Sequence, residues 1–169
     1  SILNKHIKIA NKALVTVETD RLVQLFSRHP EEVIEELSGY APLDLHLIED
    51  YEDRWDWGRH GLSSNSGLPW SEALIERYED RWDWGRLSLS INKGLPWSEA
   101  LIERYKGRWD WGRLSHLNMN TDFPLSKALI ARYEDCWDWN WLSGNYGLPW
   151  SEALIEHYKD RWDWGKYGL

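Results

Sequence analysis

From residue 41 onward, apolar and polar positions recur in the same order five times. The segment LPWSEALIERYEDRWDWGRLS starts at Leu68 and returns almost unchanged at Leu95. It recurs as FPLSKALIARYEDCWDWNWLS from Phe123 and as LPWSEALIEHYKDRWDWGKYG from Leu148. A more divergent copy, APLDLHLIEDYEDRWDWG, starts at Ala41. The copies occupy residues 41–67, 68–94, 95–122, 123–147 and 148–169, and their WDW triplets are spaced by 27, 27, 28 and 25 residues. The distance from the Pro to the end of WDW never changes, so all length variation lies between WDW and the next Pro. Insertions confined in this way map to loops on one face of a repeat array, often the binding face.

Each copy predicts two short helices. Asp44, Ser71, Ser98, Ser126 and Ser151 stand at the N-cap of the first, where a side-chain oxygen satisfies an orphan N–H. Trp70 before the cap and Ile75 within the helix have hydrophobic-staple spacing. Leu74, Ile75 and Tyr78 form its apolar stripe. Asp53, Asp80, Gly107, Asp135 and Asp160 are the expected N-caps of the second helix, which would carry Trp82, Trp84 and Leu87. Two residues apart on a helix, the two Trp would point to nearly opposite sides. That suits an element packed between its own partner and the next copy.

Residues 1–40 lack Trp. Leu22, Val23 and Phe26 echo the first-helix stripe, and Glu31 to Leu37 followed by Ser38 echoes the second helix. The segment reads as a divergent N-terminal cap of the kind solenoids need. Within it, residues 5–18 alternate as a small β-hairpin would, although a helix fits them too. The last copy stops partway through its unit, which predicts a face for a longer array or for another copy of the chain. The fold class expected is all-α: a right-handed α-solenoid of short helix pairs, with about 25–28 residues per repeat.

Composition sharpens this reading. The 169 residues include 14 Trp, all between Trp55 and Trp164, but only two Phe. A 25-residue unit has few other large side chains to bury, so the WDW tryptophans are expected in the core: Trp55, Trp57, Trp82, Trp84, Trp109, Trp111, Trp137, Trp139, Trp162 and Trp164. The Asp inside WDW (Asp56, Asp83, Asp110, Asp138, Asp163) occurs in every copy and is expected at N3 of the second helix, closing a capping box. Its role is then structural.

Departures from the repeat are better functional evidence than the repeat itself. In the fourth copy Glu76 becomes Ala131, Arg81 becomes Cys136 and Arg86 becomes Trp141. A position that carries charge in sister copies should face solvent, so Trp141 is expected exposed, and Trp is enriched at binding hot spots. Leu89, Ile91, Leu117, Met119 and Tyr146 lie in the connections of variable length and join it as candidate interaction residues. Their alternative is packing against the neighbouring copy.

Charge and motifs exclude several classes. A net charge of −8 disfavours a nucleic-acid binder. No run of 18 apolar residues predicts a membrane span, and no long apolar stretch near residue 1 suggests a signal peptide. The single cysteine fits a reducing, cytoplasmic compartment. The six histidines form no zinc-binding spacing, and no phosphate loop or nucleophile elbow occurs. No catalytic, metal or cofactor site is expected. Propeller blades need a longer period, and the leucine-rich pattern near Leu87 is lost in the fourth copy.

The phrase WDW-x-x-LS-x-N-x-x-LPW-S-x-x-LI-x-x-Y, clearest from Trp137 to Tyr158, resembles Trp-rich tandem repeats of bacterial proteins and is similar to repeats in some large DNA virus proteins. The resemblance covers about three quarters of the chain and implies a repeat fold without a particular biochemical activity; residues 1–40 depart from it. The function expected is a non-enzymatic scaffold that binds a protein or peptide, with self-association through its last copy. The alternative is a carbohydrate-binding module using exposed Trp and Asp.

Overall fold

A computed structural model of the chain describes residue 28 and residues 32–165, apart from 86, 116 and 118–122. The hairpin expected over 5–18 lies outside these residues. The described residues form eight short α-helices and two 3-10 turns, with no strand. The helices are α1 (Glu32–Tyr40), α2 (Leu45–Asp50), α3 (Glu72–Arg77), α4 (Glu99–Arg104), α5 (Trp111–Leu114), α6 (Lys127–Arg132), α7 (Trp139–Leu142) and α8 (Glu152–His157). The chain divides into two compact units, Ser1–Leu95 and Pro96–Leu169, with the boundary where the second copy meets the third.

The first helix of every copy forms as expected. α2, α3, α4, α6 and α8 are six residues each. Asp44, Ser71, Ser98, Ser126 and Ser151 each accept from the N–H three residues on, at 2.9–3.2 Å. Helices this short are unstable alone, so their ends and faces must be held by the rest of the copy. Leu74 and Ile75 in α3, and their counterparts Leu101, Ile102, Leu129 and Ile130, are buried.

The indoles of WDW hold the helix ends. The first Trp of each triplet donates from Nε1 to a carbonyl near the end of its own first helix: Trp82 to Ile75, Trp109 to Ile102, Trp137 to Ile130 and Trp162 to Ile155, at 3.0–3.2 Å. The second Trp donates to the carbonyl five residues back, as Trp57 does to Glu52 at 2.8 Å and Trp139 to Glu134 at 2.9 Å. Trp70 and Trp150 donate to the carbonyls of Asn65 and Asn145. At least twelve of the fourteen indole N–H groups cap a backbone carbonyl. Phe offers the same apolar surface without a donor, which accounts for its near absence.

The second half of each copy departs from expectation. Residues 78–84 form a turn and an extended stretch, not a helix. Where a second helix forms it is four residues long, and the WDW Asp is its N-cap rather than its N3 residue. Asp110 accepts from the Arg113 N–H, and Asp138 from the N–H groups of Asn140 and Trp141. In the first, second and last copies the same carboxylate accepts from Gly58, Gly85 or Gly165, two residues on. The Asp is a capping group as expected, but of a local turn. The two Trp have different ring partners: the first packs on rings of its own copy, as Trp82 does on Trp70 and Tyr78, and the second on rings of the next, as Trp57 does on Tyr78 and Trp82. Trp70 packs on Trp82, at 4.9 Å between ring centroids, and serves as a ring partner within its own copy.

The variable connections also resolve differently. The first two copies hold two extra residues before, not after, the Leu-Ser that follows WDW. Leu62 and Leu89 begin 3-10 turns there, whereas Leu114 and Leu142 end α5 and α7. All four leucines are fully buried. Leu87, expected in the core, is 46% exposed, and Leu89 takes its place.

Copies within each unit are joined by Ser and Asn side chains. Ser63 Oγ donates to the Trp57 carbonyl and accepts from the N–H of Asp83, one copy on. Ser115 and Ser143 do the same for Asp138 and Asp163. Ser38 in α1 accepts likewise from Asp56. Asn92 Nδ2 donates back to the carbonyls of Ser63 and Asn65 at 3.0 and 3.2 Å, while its Oδ1 accepts from Gly94. Asn65 and Asn145 repeat this arrangement. These Ser and Asn side chains are buried.

Replacing Asn92 with Ala strands the Ser63 carbonyl and the Gly94 N–H, while the Asn65 carbonyl keeps its bond from Trp70. Each costs roughly 1–3 kcal/mol when unsatisfied, so Asn92→Ala should destabilise the chain by about 3 kcal/mol in urea unfolding. A loss within error of zero would mean that the ladder carries no stability.

Candidate interaction surface

Trp141 stands where sister copies carry Arg59, Arg86, Arg113 and Lys166. It lies on α7, whose N-terminus Asp138 caps, and its side chain is 37% exposed. Five residues on, Tyr146 follows buried Asn145 in a tight turn and is 91% exposed. Trp141 matches its expected exposure, and Tyr146 belongs to the same copy.

The other candidates do not join them. Leu89 and Leu117 are buried, because each sits one to three residues after the Ser that anchors the copy or forms part of the Leu-Ser step itself. Neither is available to a partner. Ile91 is partly buried, at the end of the 3-10 turn Leu89–Ile91. Met119 lies outside the described residues.

Of the WDW tryptophans, Trp55, Trp57, Trp82, Trp84, Trp109, Trp137 and Trp162 are buried, and Trp111 and Trp139 are partly buried. Trp164 is the exception at 46% exposed. Its counterparts Trp57, Trp111 and Trp139 are covered by rings of the following copy. Trp57 lies 4.6 Å from Tyr78 and 4.8 Å from Trp82, and Trp139 lies 4.7 Å from Tyr158 and 5.0 Å from Trp162.

Charged groups complete these contacts. The Arg81 guanidinium lies 4.6 Å from the Trp57 ring centroid and 3.4 Å from Asp53. Arg161 lies 5.5 Å from Trp139, 3.0 Å from Asp135, and donates to the Glu134 carbonyl at 2.9 Å. Exposed ion pairs of this kind contribute little alone, but ring stacking fixes their geometry. Tyr78 donates to Glu52 and Tyr133 to Glu103. The Trp and Asp of this grouping belong to one copy and the Arg to the next, so sequence proximity does not reveal it; the recurrence of Asp53 and Arg81 along the register is its one visible signal.

Among the described residues no three His, Cys, Asp or Glu side chains gather as a metal site, and no helix is long and apolar enough to cross a membrane. Comparison with family models, with curated proteins and with solved structures finds no match.

The buried tyrosines set a pH limit. Burial holds the Tyr78 hydroxyl above its ordinary pKa of 10.0, helped by its hydrogen bond to Glu52. Burial, then the charge of Glu134, does the same to Tyr158. A proton held more tightly in the folded state gives stability that is complete below the unfolded pKa and is lost as pH rises through the folded one. Stability should therefore be insensitive to these groups below pH about 10 and fall above it. Thermal melts from pH 8 to 12 check this, with Tyr78→Phe expected to shrink the alkaline loss. An equal loss in that variant counts against the assignment to Tyr78.

Proposed function

We propose that this chain is a non-enzymatic binding scaffold for a protein or peptide, each of its two units a stretch of α-solenoid built from helix–turn copies. The observation that carries this reading is the exposed indole of Trp141, at a register position where sister copies place a cation. Tyr146 adds a second exposed ring in the same copy. The free, exposed Cys136 is compatible with a reducing, cytoplasmic setting. The carbohydrate reading is the weaker one, since most indole faces that would stack on sugars are buried against other rings.

Trp141→Arg restores the sister residue and should fold normally. It is expected to weaken capture of wild-type partners from source-organism extract by about tenfold, the scale of a hot-spot Trp, with an unchanged melting temperature. Retention of every partner by the variant overturns the assignment of Trp141.

Self-association is the second part of the proposal. Trp164 is open where Trp57 and Trp139 are covered by Tyr and Trp rings, so a second copy of the chain has an aromatic surface on which to add. Sedimentation velocity over a wide concentration range should show a rising mean mass, which Trp164→Ala reduces. A monomer at the highest concentration would rule this out.

A further inference from the structure

The junction between the third and fourth copies lacks what two other junctions possess. Between the first and second copies, Arg81 stacks on Trp57 and reaches Asp53. Between the fourth and fifth, Arg161 stacks on Trp139, reaches Asp135 and donates to the Glu134 carbonyl. Between the third and fourth the Arg position is Cys136 and the Asp position is Gly107. Both partners of the ion pair are missing together. A thiol ends one atom beyond Cβ and has neither the length nor the charge to replace a guanidinium.

The rest of the cradle is intact. Trp111 packs on Tyr133 and Trp137 at 4.8 and 4.9 Å, matching the contacts of Trp57 and Trp139. Its Nε1 donates to the Lys106 carbonyl at 2.9 Å, as that of Trp139 does to Glu134. Among the described residues, no cation lies over the Trp111 ring. Trp111 is only partly buried and Cys136 is exposed. A Cβ built on Gly107 meets nothing within 4 Å, so the Asp position opens onto free space. The nearby Lys106 ammonium is bound to Glu103 at 2.8 Å.

We propose that the Trp111 ring face, with the Lys106 carbonyl beside it, is a docking site for an arginine side chain of a partner protein. The chain itself supplies the template: Arg161 stacks on an indole and donates to the equivalent carbonyl in one pose. A planar guanidinium does both at once, and an ammonium does not. The net charge of −8 favours the approach of a basic partner. The inference deepens the scaffold reading but uses residues apart from Trp141 and Tyr146.

The test needs no native partner. The blocked peptide acetyl-Gly-Arg-Gly-amide is titrated into the full chain while the indole N–H resonances are followed by NMR, with Trp111→Phe identifying the Trp111 signal. That signal should shift saturably, on the order of millimolar, and the citrulline peptide should leave it in place. Gly107→Asp supplies the missing carboxylate without a clash and should tighten binding about two- to fivefold. Adding Cys136→Arg to it fills the site from within and should abolish the response. The inference is overturned if Trp111 does not respond, if citrulline shifts it equally, or if Gly107→Asp fails to tighten binding. The same titration on Trp141→Arg separates the two proposals: an unchanged Trp111 response there leaves this site standing whatever becomes of the Trp141 surface.

Discussion

A folded chain must find partners for its buried backbone N–H and C=O groups, and this one has little regular structure with which to do so. Its helices run to six residues in most copies, and many carbonyls lie in turns or extended stretches between them. Side chains carry the load instead. Indole N–H groups cap the carbonyls at helix ends, Ser hydroxyls accept from the next copy's backbone, and Asn amides donate to the preceding one. The repeated residues follow from that constraint. Trp, Ser and Asn recur because each couples a backbone partner to a packing volume of the right size.

Aromatic packing is built on the same groups. Once its N–H is bonded to the carbonyl five residues back, Trp57 has its ring fixed against Tyr78 and Trp82 of the next copy. The hydrogen bond sets the orientation and the ring contact provides most of the apolar burial. Neither is enough alone in so short a unit. The two together explain why copies of different length keep the same geometry. Of the extra residues before Leu89, Leu87 is exposed and Ser88 is buried, while Leu89, Ser90 and Asn92 are buried as their counterparts Leu142, Ser143 and Asn145 are.

The first helix of each copy and its N-cap were legible in the sequence. Both rest on local chemistry: an Asp or Ser placed just before an apolar stripe. The second helix was not legible, since WDW suits an extended stretch as well as a helical one. Counting forward from Trp84 puts Leu87 in the core, whereas the chain is anchored by Leu-Ser-x-Asn from the far side, which puts Leu89 there instead. Ser and Asn there resemble loop residues; their burial follows only when the next copy is in place. Trp141 stood out because the chemistry at its position changed sign, from cation to apolar ring, against a fixed register.

That last point bears on how function is carried in such an array. A residue that belongs to the ladder or to the indole caps cannot be changed without stranding a backbone group, so it is closed to specialisation. The positions open to change are those whose partners are exposed ion pairs, which contribute little stability. Arg81 with Asp53 and Arg161 with Asp135 are of this kind, and the third junction has dispensed with both members. Their loss removes the cation but keeps the ring, because Trp111 is still fixed by its hydrogen bond and by Tyr133. A junction can therefore turn from self-contained to receptive through two substitutions that leave its buried polar network untouched, and the copy that follows it is also the one that carries Trp141.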